Sequence, residues 1–156
     1  MLIIGATGGV GALVVQHAAQ AGARVLATAA PADAAYIQEL GAETAIDYTR
    51  GPISTDADVV VDLINAGPAL ASTAVLVRQG GRLISTLYGP AEVNGVVPGY
   101  VRMDPATGDL PWQAASLATD RISIEVAATY SFAQSMEAMR DFAAGTYTRG
   151  KIVITF

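Results

Sequence analysis

The sequence predicts an α/β fold of three layers, doubly wound around a mainly parallel sheet. Three observations predict it. Apolar, β-branched runs alternate with segments of helical periodicity. Residues 1–4 and 59–63 contain unbroken apolar stretches, as in strands buried on both faces. Glycine-rich turns join strand to helix at the spacing of βαβ units, whose crossovers are right-handed.

The first strand runs directly into Gly5-Ala6-Thr7-Gly8-Gly9-Val10-Gly11, and a helix follows to Ala21, stopped at Gly22. Val10, Leu13, Val14 and Ala18 are its expected apolar face, and His17 lies on it. The pattern G-x-G-x-x-G appears as Ala6-x-Gly8-x-x-Gly11, with alanine first. Between a strand and a helix, such glycines let backbone N–H groups approach a ligand, and the helix N-terminus attracts a phosphate. The alternative at this point is a tight turn with no ligand. Residues 24–29 read as the second strand, and Pro31 suits the first turn of a second helix whose core positions are Tyr36, Ile37 and Leu40. Residues 43–46 form a short third strand leading into Asp47-Tyr48-Thr49-Arg50, and residues 51–58 a polar loop before the fourth strand. Asn65-Ala66-Gly67-Pro68 starts a helix with Leu70, Ala74 and Val77 inward. Gln79-Gly80-Gly81 turns the chain into a strand at residues 82–86.

The second half is less regular. Residues 89–99 read as loop, 100–103 as an edge strand, and 111–119, with the single Trp112, as a short helix. Residues 122–126 alternate like a strand with one exposed face. Ser131 and Gln134 form a capping box for a helix carrying Phe132, Met136, Met139 and Phe142, ended by Gly145. Residues 151–156 are the last strand.

Composition removes several functions. A net charge of −5 with no basic patch argues against nucleic acid and anionic membranes. The absence of cysteine removes disulfides, thiolate catalysis and Cys-ligated zinc. No apolar run reaches the ~18 residues of a membrane span, and no basic segment precedes the first apolar run as in a signal peptide. A cytoplasmic protein is the expectation. Tyr147 and Lys151 match a Tyr-x-x-x-Lys pair, but Gly150 and a following strand deny them a shared helical face. Residues 145–151 nearly spell a P-loop, with Ile152 where the Mg²⁺-binding Ser/Thr belongs and the order of elements reversed.

The turn at residues 5–11, Leu40-Gly41-Ala42, Ile46-Asp47-Tyr48, Gly80-Gly81-Arg82-Leu83-Ile84-Ser85 and Arg149-Gly150-Lys151-Ile152-Val153 share an order and spacing. In these the chain resembles the cofactor (Rossmann) domain of zinc-independent quinone oxidoreductases of the medium-chain dehydrogenase/reductase superfamily. The resemblance spans all 156 residues as one dinucleotide-binding domain. Family members carry a GroES-like catalytic domain ahead of it, absent here, so an excised domain or a truncated relative is expected. Pyrophosphate contacts fall on Thr7, Gly8, Gly9, Val10 and Gly11. The second strand ends in Thr28-Ala29-Ala30-Pro31, without the carboxylate that reads an NAD ribose. NADP-binding relatives place a hydroxyl, a basic residue and a tyrosine in this region. Thr28 and Tyr48 fit, and Arg50 substitutes for the base, so NADP(H) is favoured over NAD(H). Asn65, Ala66 and Gly67, with Leu87, Tyr88 and Gly89, are expected near the ribose or nicotinamide, at carboxyl ends of strands. The implied reaction is hydride transfer from NADPH to a quinone or α,β-unsaturated carbonyl, with no zinc. No catalytic acid or base stands out; Tyr88 is the one candidate proton donor. A non-catalytic NADP(H)-binding module or sensor and a short-chain-type reductase are the alternatives. A homodimer through the edge around Val96, Val97, Tyr100, Val101 and Met103 is expected, as is exposed apolar surface near Tyr88.

Overall fold

The opening apolar run becomes β1 (Leu2–Ile4), on which both faces of the main sheet are built. The computed structural model describes residues 1–102 and 110–156. In it β1 lies among β2 (Leu26–Ala29), β3 (Thr44–Asp47), β4 (Ala57–Asp62), β5 (Val77–Ser85) and β6 (Gly99–Tyr100). The order is β3-β2-β1-β4-β5-β6, and each pair is parallel. This is a Rossmann-like α/β fold.

Alternation along β1 explains the layers. Leu2 and Ile4 face one way, into a cluster with Val60, Leu70, Leu76 and Leu83 beneath α3 (Ala71–Ala74). Ile3 faces the other way, into a cluster with Val15, Val25, Ile37 and Val61 beneath α1 (Gly9–Gln20) and α2 (Ala34–Glu39). Each fully buried Leu or Ile contributes about 1.5–3 kcal/mol, so a strand of three such residues anchors both sides.

The face that α1 buries differs from the expected stripe. Gly11, Ala12, Val15 and Gln16 are buried, while Val10 is 49% exposed. The close seat of Gly11 on the turn below rotates the helix toward its smallest residues. The helix expected from residue 65 is shorter: a 3₁₀ turn (Gly67–Leu70) runs into α3, and Val77 already belongs to β5. The Gly80-Gly81 turn lies inside β5 as a register shift against β4. Expected edge residue Met103 lies outside the described residues; Val97 and Val101 are exposed beside β6.

Beyond α4 (Leu110–Ala118) a second, two-stranded parallel sheet forms from β7 (Val126–Ser131) and β8 (Lys151–Thr155), joined by α5 (Ser135–Ala143). The strand expected at residues 122–126 starts only at its end. Gln16 of α1 intercepts the backbone there: its amide donates to the Ser123 carbonyl at 2.9 Å and accepts from the Ser123 N–H at 2.7 Å. The Ser131–Gln134 capping box forms as read. Among the described residues, no helix is long and apolar enough to cross a membrane.

Candidate functional site at the strand switch point

β1 and β4 are neighbours, yet the chain leaves β1 toward α1 on one face and β4 toward α3 on the other. Their carboxyl ends are therefore the topological switch point, where open α/β sheets bind ligands. Gly5 turns the chain at φ +80°, a left-handed value that favours glycine. Its N–H donates to Thr28 Oγ1 at 3.1 Å, tying the turn to the end of β2. Gly8 caps α1 in extended conformation, with no side-chain cap and no acidic residue in the first turn. The N–H groups of Gly9, Val10 and Gly11 precede the first intrahelical bond, Ala12 N–H to the Gly8 carbonyl at 2.9 Å. A Cβ on Gly11 would stand 2.1 Å from the Gly5 carbonyl oxygen, so only glycine lets the helix press onto the turn.

The segment entering β8 crosses this turn. Thr7 Oγ1 donates to the Thr148 carbonyl at 2.7 Å, and the Gly150 N–H donates to the Thr7 carbonyl at 3.0 Å. The Lys151 alkyl chain lies against Gly9, where a Cβ would come within 2.1 Å of its Cε. Among the described residues Lys151 has no carboxylate partner within salt-bridge distance. A cation beside a helix N-terminus is repelled by the helix dipole, an arrangement that an anion between them would reverse. A cavity of about 310 Å³ is lined here by Gly8, Gly9, Tyr147, Thr148, Arg149 and Lys151. The Tyr147 hydroxyl lies 3.0 Å from that of Tyr130, which donates to Asp141 at 2.5 Å. The bond to Asp141, then that to Tyr147, raises the Tyr130 pKa well above the usual phenol range.

Arg149 reaches the other side of the turn. Its guanidinium lies 3.8 Å from Asp33, 3.5 Å from Glu125 and 5.1 Å from the centre of the Tyr36 ring. The Tyr36 hydroxyl is buried and has no hydrogen-bond partner among the described residues, and burial raises its pKa.

The other residues singled out in the sequence are placed as follows. Thr28 is buried and braces Gly5. Tyr48 and Arg50 follow β3, with Tyr48 52% exposed and Arg50 paired to Asp47 at 3.0 Å. Asn65 is held by the fully buried Asp62, whose carboxylate accepts from the N–H groups of Ile64 and Asn65 at 2.9 Å and from Asn65 Nδ2 at 2.8 Å. The Gly67 N–H donates to the Tyr88 carbonyl at 2.9 Å, joining the loops after β4 and β5. The Leu87 N–H donates to Ser85 Oγ at 3.0 Å. Tyr88 is 67% exposed with its ring 5.9 Å from that of Tyr100. A Cβ on Gly89 would meet Leu70 and Tyr100 at 2.6 and 2.8 Å.

Parallel strand order thus gathers the glycine turn and the loops after β3, β4 and β5 at one end of the sheet. Asp33, Arg149 and Lys151 were not singled out as site residues in the sequence. Lys151 reads there as a solvated charge, since a contact across more than a hundred residues leaves no local pattern. Two cations flanking Gly150 are the only signal. Among the described residues, no three His, Cys, Asp or Glu side chains gather to hold a metal ion.

Comparison with known proteins bears on the fold. A family model described as zinc-binding dehydrogenase matches residues 40–154. No curated protein sequence matches. The quinone oxidoreductase of Coxiella burnetii superposes with a TM-score of 0.87 at 25% identity, over 99% of this chain and 52% of that one. The quinone oxidoreductase of Thermus thermophilus, solved also in complex with NADPH, gives 0.76 at 23% identity over 99% and 56%. A thermostable alcohol dehydrogenase of Pyrobaculum aerophilum gives 0.74 at 21% over 99% and 49%. The chain spans about half the length of these proteins. The sequence holds no cysteine and one histidine, and the described residues do not compose a zinc centre.

Proposed function

The chain belongs to the zinc-binding dehydrogenase family, as the NAD(P)-binding Rossmann domain of a quinone oxidoreductase-like member of the medium-chain dehydrogenase/reductase superfamily, and from that premise we propose that it binds NADP(H) for hydride transfer to a quinone or an α,β-unsaturated carbonyl. One observation carries the reading: the uncapped start of α1 at the β1/β4 switch point, with the Lys151 chain laid against Gly9. A pyrophosphate there takes the free N–H groups of Gly9, Val10 and Gly11 and neutralises Lys151. When bound, the nicotinamide supplies the hydride. The chain's residues do the rest. Asp62 fixes Asn65, and the Gly67–Tyr88 bond fixes the rim on which the nicotinamide is to lie. Tyr88 is exposed on that rim as the candidate proton donor, and no other acid or base is assigned.

NADPH is preferred in this proposal because Ala29 and Ala30 end β2 without a carboxylate, and Tyr48 stands exposed beside them after β3. The substrate pocket is completed by a second, catalytic domain, and copies pair through the edge at β6. Fluorescence titration with NADPH and NADH, followed by a quinone-reduction assay, tests the reading. Saturable binding with preference for NADPH is expected; no binding of either dinucleotide would overturn it. Binding without turnover favours the non-catalytic module. A strictly monomeric species at high concentration in sizing experiments removes the dimer.

A further inference from the structure

We propose that Arg149 recognises the 2′-phosphate of the adenosine ribose, and that its pairing with Asp33 sets the choice between NADPH and NADH. This rests on the dinucleotide reading above. Asp33 ends the turn that follows β2, the region where doubly wound folds read the ribose 2′ substituent with a carboxylate or an arginine. Here both groups are present and face each other at 3.8 Å. Arg149 also lines the cavity that holds Gly8 and Gly9, which puts it beside the pyrophosphate turn.

The cluster is incompletely satisfied in a way that suits a ligand. The Asp33 side chain is 7% exposed, and its ion pair is longer than a hydrogen bond. A pair this long leaves donors of the Arg149 guanidinium for a closer acceptor. The Tyr36 hydroxyl beneath Arg149 is buried and has no partner among the described residues. Arg149 keeps 42% of its side chain exposed, and its five donors are not exhausted by Asp33 and Glu125 at 3.8 and 3.5 Å. The Tyr36 ring lies 5.1 Å from the guanidinium carbon, within the range at which an aromatic face attracts a cation. Arg50, the cation expected from sequence, is 85% exposed and bonded to Asp47. Without the Arg149 charge, Asp33 stands alone: it repels a phosphate and accepts from a 2′-hydroxyl.

The test is calorimetric binding of NADPH, NADH, 2′,5′-ADP and 5′-ADP to the wild-type chain and to Arg149→Gln, Arg149→Lys and Lys151→Gln. Arg149→Gln is expected to weaken NADPH and 2′,5′-ADP at least tenfold while NADH and 5′-ADP stay within about twofold, which also shows that the variant is folded. Arg149→Lys should recover part of the loss. Lys151→Gln should weaken NADPH and NADH alike. Equal weakening of all four ligands by Arg149→Gln, or no weakening, overturns the proposal, as does a wild-type chain that binds 5′-ADP and NADH and discriminates against the 2′-phosphate. A wild-type chain that binds none of the four overturns the dinucleotide reading itself.

Discussion

The two sheets of this molecule are built to different standards. The six-stranded sheet is covered on both faces, with Leu2, Ile3, Val60 and Leu83 at most 1% exposed. The two-stranded sheet is parallel too, yet four of the five residues of β8 are exposed, and α5 presents its apolar side outward. Met136, Met139 and Phe142 are 62–74% exposed, and only Ala138 of that helix is buried. Phe132 and Phe156 stack at 5.2 Å but stay largely uncovered. Parallel sheets are normally covered on both faces, and two-stranded sheets are marginal alone. The first region therefore carries its own stability. The second is tied to it through polar contacts such as that of Gln16 with Ser123, and leaves an apolar face exposed.

The largest expected effect separates the two regions directly. Leu83→Ala, in the covered sheet, should cost about 2–5 kcal/mol in urea unfolding. Phe142→Ser, on the uncovered face, should stay within about 0.5 kcal/mol. Equal costs would mean that the α5 face is packed in solution. Next comes the turn that joins sheet and site. Gly11→Ala places a Cβ against the Gly5 carbonyl, at 2.1 Å. It should destabilise by about 1–3 kcal/mol, as overpacking does, and weaken NADPH binding more than tenfold in titration. The tie between the regions is next in size. Gln16→Ala strips the Ser123 N–H of its partner and should cost about 1–2 kcal/mol, with faster amide hydrogen exchange at residues 122–126 and little change in β1.

The smallest effect is one of pH. Hydrogen bonds from Thr49, then the charge of Arg50, hold the Asp47 carboxyl below its usual value. A pKa lowered by folding gives stability that is fully present above the unfolded carboxylate value and is lost as pH falls through the folded one. Acid titration of stability should therefore show a slope in this window that Asp47→Asn flattens.

What was legible in the sequence follows the same division. The main sheet could be read because its signals are local. Residues 59–61 are apolar on consecutive positions, Gly5 and Gly41 mark turns with φ of +80° and +108°, and Pro31 opens a helical turn. The face of α1 could not be read from periodicity, because the closeness of Gly11 to Gly5 outweighs the larger Val10. Residues 122–126 alternate as a strand should, but the side chain of Gln16 takes the backbone groups of Ser123 first. At the site, the glycine turn was legible because strand, turn and helix are consecutive. Arg149 and Lys151 were not, since only the fold brings them back to residues 7–9, and their alternation around Gly150 looks like an ordinary strand entry. The apolar stripe of α5 was visible, but not that it faces outward.

In the proposed complex, backbone amides opening α1 hold a dinucleotide's pyrophosphate. Amide chemical shifts of the ¹⁵N-labelled chain during titration with NADPH test it most directly. Saturable shifts centred on Gly9, Val10 and Gly11, accompanied by Gly150 and Lys151, are expected, with the α5 face unchanged. Binding that leaves those amides still while moving others would contradict it.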